Sequence, residues 1–402
     1  MGELKSGWRQ VKLGDVVNNI NDYYDRNSTK VERYIAGEHI DEGSLSVRRW
    51  GETTDDLFPP TFNRKFRAGD VLFHSRNLRK LACPDFGGVT GEKLFVLRVI
   101  RPDLLLPSLL PFLLQTRQFD EYVNRMWAGS TNKFLNKTPL MNYEFALPPL
   151  EEQRRFMVVL LAVEDTLQSL RECKASAIDL YQSASLHAFC RPDSRVLGGT
   201  ATSPSNWAPR TWVGRPLGEL NAKSAPICYG IVQLGEPVPS GIPVLRTQNL
   251  NGDYIQDVYY VPEEVDESYR RSRVQGGDIL VAIQGMSTGK IGMVPAGFEG
   301  NINRHVARIR LGESLLPEFF FHLWRSAPFA AYVRSVCVGT TKPELTIGDL
   351  RKMQVPVPLP DEQKAIAREL TDLENCARSI GERIVRAEGL QREALRTAWR
   401  AA

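Results

Sequence analysis

Basic side chains are concentrated in one short stretch within the first hundred residues. Six cations and His74 stand there against a single acid, Asp70; the cations are Arg64, Lys65, Arg67, Arg76, Arg79 and Lys80. Lys and Arg neutralise phosphates, and Arg and Asn also match the hydrogen-bonding edges of guanine and adenine. The stretch suits a DNA contact, above all at Ser75, Arg76 and Asn77, where a predicted strand ends. The sequence is equally consistent with a strand edge whose basic side chains face solvent and contact no DNA.

Two further loops combine glycine, hydroxyl groups and a lysine. They are Gly129-Ser130-Thr131-Asn132-Lys133 and Gly339-Thr340-Thr341-Lys342, and each follows a predicted helix. Backbone amides beside hydroxyls and an ammonium group can hold a phosphate, whereas the plain alternative is a glycine that ends a helix. The recurrence of the loop in both halves of the chain favours phosphate binding.

A polar segment in the second half lies where the basic stretch lies in the first. Its candidate DNA-contacting residues are Gln284, Ser287, Thr288 and Lys290. The segment carries much less charge than its counterpart and is rich in short polar donors.

Several segments are similar to catalytic motifs, but each lacks a residue or a spacing that the motif requires. Gly285–Ile291 is similar to a phosphate-binding loop but has three residues between its glycines instead of four, and no Ser or Thr follows Lys290. Asp361–Lys364 has the Glu-x-Lys of a nuclease site without a separated upstream aspartate. The five histidines and six cysteines form no pair with metal-ligand spacing. We therefore expect no catalytic residue, no metal site and no cofactor in the chain itself.

Composition narrows the class of protein. The 402 residues include 51 Lys and Arg against 47 Asp and Glu, a net charge of +4, which permits a nucleic-acid partner without requiring one. The longest apolar run, Leu104–Leu114, is interrupted by Pro107 and Pro111, so no membrane-spanning helix is expected. The N-terminus lacks the apolar segment of a secretory signal, and the cysteines are scattered; a cytoplasmic location follows.

The chain repeats itself. Leu105–Glu164 aligns with Leu315–Glu374 without a gap, with 16 identities in 60 positions. Phe66–Leu72 is similar to Val274–Leu280, with a shift of 208 positions instead of the 210 that separate Leu105 from Leu315. We interpret the chain as a tandem duplication of one globular region followed by one long helix.

Each globular region is predicted to be a mixed α+β domain. Short β-branched and aromatic runs indicate the strands Val71–His74, Leu94–Ile100, Asp278–Ile283 and Val306–Leu311. One helix is predicted in each region, over 107–125 and 317–335. The predicted domain limits are 1–150 for the first globular domain, 151–190 for a long helix, 191–210 for a connector rich in Gly, Ser, Thr and Pro, 211–360 for the second globular domain and 361–402 for the second long helix.

The two long helices are predicted from apolar residues at every third or fourth position in Glu151–Ala188 and Asp361–Arg400. This spacing is typical of a coiled coil. A helix this long and amphipathic needs a partner, so we expect the two helices to pair in antiparallel fashion. The predicted contact residues are Phe156, Val163, Leu167, Leu170, Ile366, Leu370, Leu373, Ile380 and Ile384.

This layout resembles the specificity subunits of type I restriction-modification systems. The resemblance depends mainly on two Pro-rich segments that end in Glu-Gln, Leu147-Pro148-Pro149-Leu150-Glu151-Glu152-Gln153 and Val357-Pro358-Leu359-Pro360-Asp361-Glu362-Gln363. The Gly-Asp-Val/Ile-Leu strands and the Gly-Thr-Thr-Lys loop support it. The resemblance covers nearly the whole chain. It implies two pseudo-repeated α/β target recognition domains joined by two long antiparallel coiled-coil helices.

The resemblance also implies a function. Each globular domain would read one half of an asymmetric, split site in double-stranded DNA, and the helices would set the spacing between the half-sites. The helices would also dock two modification subunits, which bind S-adenosylmethionine and methylate adenine, and motor-nuclease subunits could join for restriction. Lys133 comes one residue later in its loop than Lys342, which leaves the phosphate contact of the first loop open.

Two interpretations from other classes remain. The chain could be a stand-alone DNA-modifying or DNA-cleaving enzyme with a degenerate site, which would react with DNA in the presence of Mg²⁺ and S-adenosylmethionine. It could also be a coiled-coil scaffold that does not bind DNA, in which case salt-dependent duplex binding would be absent.

Overall fold

The protein is described by a computed structural model. It covers residues 4–25, 31–56, 58–129, 132–191, 203–252, 254, 256–339 and 343–399. The chain divides into two compact units: unit 1 comprises 1–173 and 380–402, and unit 2 comprises 174–379. None of the described helices combines the length and the apolar character that a membrane-spanning helix needs.

Unit 1 consists of short strands and helices followed by the start of a long helix. Its elements are β1 (Arg9–Lys12), α1 (Leu13–Val16), β2 (Val17–Asn19), β3 (Arg33–Ile35), β4 (Gly51–Glu52), β5 (Arg64–Phe66), β6 (Val71–His74), β7 (Leu81–Ala82), β8 (Gly88–Thr90), β9 (Leu94–Val99), α2 (Leu110–Leu113), α3 (Arg117–Met126), α4 (Lys137–Met141), β10 (Glu144–Leu147) and α5 (Leu150–Phe189). The residues of α5 from Lys174 onward belong to unit 2.

Unit 2 follows the same plan. Its elements are β11 (Val213–Pro216), α6 (Leu217–Leu220), β12 (Cys228–Tyr229), β13 (Ile242–Leu245), β14 (Tyr259–Val261), α7 (Glu263–Ser268), β15 (Val274–Gln275), β16 (Ile279–Ala282), β17 (Ile291–Met293), β18 (Glu299–Ile302), β19 (Val306–Ile309), α8 (Pro317–Arg325), α9 (Ala327–Val336), α10 (Ile347–Lys352), β20 (Gln354–Val357) and α11 (Pro360–Ala398). The residues of α11 from Ile380 onward belong to unit 1. Short 3-10 turns connect several of these elements.

The strand orders of the two units are identical when each strand of unit 1 is matched to the strand ten numbers later. Unit 1 has the sheets β1-β10, β2-β9-β6-β7 and β4-β3-β8-β5, and unit 2 has β11-β20, β12-β19-β16-β17 and β14-β13-β18-β15. The parallel pair of β3 with β8 recurs as β13 with β18. The duplication predicted from the sequence is thus visible in the topology.

Strand β6 is buried on both faces, which explains its unbroken apolar run. Val71 and Phe73 pack into the core shared with the helices, whereas Leu72 packs into the second core of the unit, with Ile35 and Phe66. Successive side chains point to opposite faces of a strand. Strand β16 repeats this division between the two cores of unit 2.

The single helix predicted in each globular region is wrong, because both helices are interrupted at a hydroxyl residue. In unit 1 the Thr116 hydroxyl donates to the Leu113 carbonyl at 2.8 Å and accepts from the Phe119 amide at 3.4 Å. It therefore ends one helical turn and caps α3. Ser326 stands at the matching place, where its hydroxyl donates to the Leu323 carbonyl at 2.6 Å. Short hydroxyl side chains compete with helical hydrogen bonds in this way, and the apolar periodicity does not register the break.

A buried glutamine explains the repeated Glu-Gln at each Pro-rich turn. The Gln153 side-chain oxygen accepts from the Leu106 amide at 2.9 Å, and its nitrogen donates to the Leu104 and Pro148 carbonyls at 2.7 and 2.8 Å. Gln363 makes the same three contacts, with the Leu316 amide and with the carbonyls of Ser314 and Pro358. Each glutamine thus fastens the start of a long helix to the preceding turn and to the segment before the short helices.

Within unit 1 the two long helices run antiparallel. The Gln391 side chain donates to Glu164 at 3.0 Å, and Arg171 pairs with Glu388 at 3.2 Å. Residue numbers therefore rise along one helix as they fall along the other. This is the pairing predicted from the sequence.

The predicted helix-contact residues lie in several environments. In unit 1, Val163, Leu167, Leu170, Ile380 and Ile384 form one apolar cluster with Ala387, whereas Phe156 packs against the main core of unit 1. In unit 2, Ile366 and Leu370 pack into the main core of the unit. Leu373 is half-buried.

Candidate nucleic-acid interface

The residue that follows β6 ties together three loops of unit 1. The Ser75 amide donates to the Lys93 carbonyl at 2.8 Å, and the Ser75 carbonyl accepts from the Leu135 amide at 2.7 Å. The loop after β6, the turn before β9 and the loop that ends at Phe134 therefore lie side by side. Two of these three loops were predicted separately as candidate DNA contacts, and the fold brings them together.

Unit 2 repeats this junction around Ile283. Its amide donates to the His305 carbonyl and its carbonyl accepts from the Leu345 amide, both at 2.9 Å. The loop after β16, the turn before β19 and the loop that ends at Glu344 are thus assembled in the same way. We call each assembly a loop cluster, first in unit 1 and second in unit 2.

The two glycine-hydroxyl loops are closed by paired backbone hydrogen bonds. Ala128 and Phe134 exchange two bonds of 2.9 Å, and Val338 and Glu344 exchange bonds of 3.0 and 2.9 Å. Gly129 and Gly339 have φ values of 86° and 91°, a region that side chains other than glycine rarely adopt. The helix-ending interpretation of these glycines is wrong, because the preceding helices end at Met126 and Val336, before either glycine. Asn132 and Lys133 are exposed, whereas Ser130, Thr131, Thr340, Thr341 and Lys342 lie outside the described residues.

Arg76 is the cation of the basic stretch that projects most freely from the first loop cluster. Its side chain is exposed and has no hydrogen-bond or ion-pair partner in the described part of the chain. Its backbone amide is held by the His74 side chain at 3.0 Å. A guanidinium held at its base and open at its tip can bind a phosphate or a base edge.

The neighbouring residues are engaged within unit 1. Asn77 donates to Glu42 at 2.8 Å, and Arg79 lies 3.7 Å from the same carboxylate. The Lys80 ammonium donates to the Gly37 carbonyl at 2.5 Å. Lys80 therefore fastens the loop, and Asn77 and Arg79 share one acid.

Arg64 and Lys65 lie on β5, in a different sheet from β6, the strand that leads to Arg76. The Arg64 guanidinium donates to the Leu94 carbonyl at 3.0 Å, and the Lys65 ammonium lies 3.7 Å from Asp22. Arg64 thus contacts the start of β9, close to the first loop cluster, while Lys65 is paired elsewhere in the unit. The residues of the basic stretch are close in sequence, but they do not all lie in the first loop cluster.

In the second loop cluster, Gln284 occupies the position that Arg76 occupies in the first. Its side chain is exposed, its oxygen lies 3.0 Å from the His305 ring and its nitrogen donates to Glu344 at 3.0 Å. The Thr288 hydroxyl lies 2.7 Å from both the Gly285 and the Pro343 carbonyls, so it clamps two loops together. Ser287 and Lys290 are exposed beside it.

Three exposed residues of the loop clusters were not identified as candidate DNA contacts from the sequence. Lys93 and Arg304 are exposed in the turns before β9 and β19, and Met286 is 90% exposed on the loop after β16. Neither turn carries a motif, so only the strand pairing shows that they adjoin the candidate loops. An exposed methionine gives no sequence signal either, although apolar side chains do contact thymine methyl groups and base steps in DNA complexes.

The first loop cluster has a positive electrostatic environment. Burial lowers the pKa of His74 below its usual range, and the charges of Lys80, Lys93 and Arg76 lower it further. His74 is therefore neutral near pH 7 and acts as an acceptor for the Arg76 amide. The surrounding cations favour an anionic partner.

The chain has relatives of known class. A protein-family model described as the type I restriction modification DNA specificity domain matches residues 238–388. The EcoBI specificity subunit of a type I restriction enzyme from Escherichia coli is 28% identical over 276 residues, which cover 65% of this chain and 58% of that protein. The protein described as the MjaX specificity subunit, from Methanocaldococcus jannaschii, is 23% identical over 401 residues, 93% of this chain and 88% of that one. The chain spans less than two thirds of the EcoBI subunit and of the MjaVIII subunit, at 58% and 61%.

Solved structures share the fold. A chain from a structure on complex assembly and conformational transition of the type I R-M system matches with a TM-score of 0.54 and 20% identity over 99% of both chains. The S subunit of a type-I restriction-modification system from M. genitalium matches with a TM-score of 0.61 and 12% identity over 98% of this chain and 96% of that one. These findings agree with the repeated glutamine turn and the paired long helices: residues 238–388 match the type I restriction modification DNA specificity domain, and the chain is similar in sequence to type I restriction enzyme specificity subunits.

Proposed function

We propose that this chain reads an asymmetric, two-part sequence in double-stranded DNA, with each loop cluster contacting one half-site. The observation that carries the proposal is the pair of equivalent clusters with different side chains at equivalent positions. Arg76 is the second residue after β6, and Gln284 is the second residue after β16. The same scaffold therefore presents two different surfaces, as a protein that reads two unlike half-sites requires.

The side chains match the chemistry of base recognition. Arg binds the O6 and N7 atoms of guanine in a two-bonded arrangement, and Gln does the same with the N6 and N7 atoms of adenine. Lys93 and Lys133 in the first cluster, with Lys290 and Arg304 in the second, supply charge for the phosphates on either side. We propose Arg76 and Gln284 as base-reading residues and these four cations as backbone contacts.

We further propose that two modification subunits dock on the long helices, bind S-adenosylmethionine and methylate adenine, and that motor-nuclease subunits join them for restriction. The chain would then act without a cofactor or catalytic residues of its own. Exposed apolar residues on the long helices support a docking role; they include Val158 and Leu161 on α5 and Leu390 on α11. No disulfide joins the cysteines that the structure describes, which supports our proposal of a cytoplasmic location.

The proposal is tested by mixing the purified chain with duplex DNA, Mg²⁺ and S-adenosylmethionine, with and without the modification subunits. We expect salt-dependent DNA binding by the chain alone, no strand cleavage and no methyl transfer until the modification subunits are added. Methyl transfer or cleavage by the chain alone would identify it as an enzyme. Failure of the chain and of the assembled complex to bind DNA would identify it as a scaffold.

A further inference from the structure

A cavity in unit 2 is lined by arginines that take no part in the second loop cluster. Its volume is about 550 Å³, and strands of both four-stranded sheets contribute to its wall. The polar side chains that line it include Arg270, Arg271, Arg273, Arg308 and Arg310. Cavities of this size accommodate small organic ligands.

Three of these arginines have carboxylate partners. Arg310 forms two hydrogen bonds with Asp278, Arg273 pairs with Asp266 and Glu267, and Arg270 lies 3.2 Å from Glu267. Arg271 and Arg308 have no ion pair with any described residue. Glu299 also lines the cavity and forms no ion pair within the described ranges.

Arg308 is the unusual member because its charge is buried. The residue is 3% exposed, and its guanidinium donates to two backbone carbonyls, those of Arg273 at 3.2 Å and Pro226 at 2.8 Å. Its Nε atom is buried without a partner in the described structure. A guanidinium has five N–H donors, so most of its hydrogen-bonding capacity is unused. Buried charges are ordinarily paired, because removing an unpaired ion from water is very unfavourable.

The fold itself does not require a cation at this position. In unit 2, Arg308 pairs with Leu280 across the sheet; in unit 1 the matching pair is Val96 with Leu72. Val96 is buried and apolar. The same strand of the same topology therefore accepts a valine, and the arginine of unit 2 calls for a ligand-based explanation.

We propose that this cavity is an anion site that binds the phosphate group of a small molecule of about nucleotide size. The Arg308 guanidinium would meet the phosphate from inside the cavity, and the exposed Arg271 would approach it from the rim. Phosphate carries nearly two negative charges and accepts several hydrogen bonds, which matches two arginines without carboxylate partners. The site is separate from the proposed DNA contacts and does not depend on them.

The test is calorimetric titration of the full chain with inorganic phosphate, adenosine monophosphate and adenosine. We expect the first two to bind and adenosine not to bind. Arg308→Val installs the residue found at the matching place in unit 1, and Arg271→Gln removes an exposed charge without disturbing the core. Each should weaken phosphate binding by about tenfold or more.

Arg368→Gln is the matched control, since Arg368 is an exposed cation of unit 2 that does not line the cavity. It should bind phosphate like the wild type, and all three variants should retain wild-type affinity for duplex DNA. The proposal is overturned if phosphate does not bind the wild type, if Arg271→Gln and Arg308→Val both leave binding unchanged, or if Arg368→Gln weakens it equally. Loss of DNA affinity in the cavity variants, without phosphate binding by the wild type, would also overturn it and would mark the cavity as a DNA contact.

Discussion

Asp70, which directly precedes β6, and Arg98 on β9 form a two-bonded ion pair, with Oδ1–Nε and Oδ2–Nη2 distances of 2.6 and 2.7 Å. Asp70 is buried and also accepts from the Arg67 amide at 2.9 Å. Unit 2 repeats the arrangement with Asp278 and Arg310. The aspartate of the repeated Gly-Asp-Val/Ile-Leu segment is thus a structural residue that fixes the entry to β6 and β16.

We expect Asp70→Asn to destabilise the protein by about 3 kcal/mol, because it leaves a partly buried guanidinium without its counter-charge. The Arg101–Asp103 pair has the same two-bonded geometry but is exposed, so Asp103→Asn should leave the free energy of unfolding nearly unchanged. Urea unfolding of both variants measures the difference. Equal effects would show that burial does not set the strength of the Asp70 pair.

The glutamine at each Pro-rich turn provides a second prediction. Gln153→Leu keeps the volume but leaves one buried amide and two carbonyls without partners, which should lower the free energy of unfolding by about 2–4 kcal/mol. Gln118→Leu is the control, since Gln118 is exposed and makes one long contact of 3.4 Å with the Trp399 carbonyl. Thermal unfolding should separate the two variants clearly. A Gln153→Leu protein as stable as the control would refute the role assigned to this motif.

Acid should weaken unit 2 through His322. Its ring is buried, with nitrogen atoms 3.0 Å from the Tyr181 and Thr371 hydroxyls, while Arg325 and Glu374 form an ion pair nearby. Burial, the largest cause, lowers its pKa from 6.5 to about 4, with Glu374 opposing and Arg325 reinforcing the change. Between these pH values the unfolded chain binds a proton that the folded chain does not.

The free energy of unfolding should therefore fall by about 3 kcal/mol as the pH drops from 6.5 to 4. In a His322→Gln variant this contribution is absent, so stability should depend less on pH over the same interval. Urea midpoints measured at intervals of half a pH unit compare the two proteins. Parallel pH profiles would contradict a neutral, buried His322.

The helix pair of unit 1 can be tested by truncating a buried and an exposed residue of the same helix. Leu167 is fully buried in the cluster with Ile380 and Ile384, so Leu167→Ala should destabilise the protein by about 3 kcal/mol. Val158 is 72% exposed on the same helix, and Val158→Ala should change stability by less than about 0.5 kcal/mol. If the two variants unfold at the same urea concentration, the apolar cluster does not hold the helices together.

The repeat was readable from the sequence because it preserves local patterns. Gln153 and Gln363 stand at equal positions after proline turns, and the apolar runs of β6 and β16 alternate between two cores. Thr116 and Ser326 were not recognised as helix breaks, since their hydroxyl bonds depend on backbone geometry that the apolar spacing does not reveal.

The candidate interface was only partly predictable, for a physical reason. Arg76 and the glycine loops were found by residue type, but Lys80 is bonded to Gly37, more than forty positions away, and only the fold shows it. Lys93 and Arg304 adjoin the loops through strand pairing, which no motif records. Arg308 was missed because nothing in its local sequence distinguishes a buried arginine from an exposed one.

The most direct test of two-part reading is to map methylated adenines in cells that carry the complete system with Arg76→Ala, with Gln284→Ala or with the wild-type chain. Each substitution removes one side-chain contact to a base edge, with an expected loss of about 1–3 kcal/mol in discrimination at one position. We predict that Arg76→Ala relaxes a position in one half of an asymmetric site and that Gln284→Ala relaxes a position in the other half. A palindromic site, or the same half altered by both substitutions, would contradict the assignment of one half-site to each loop cluster.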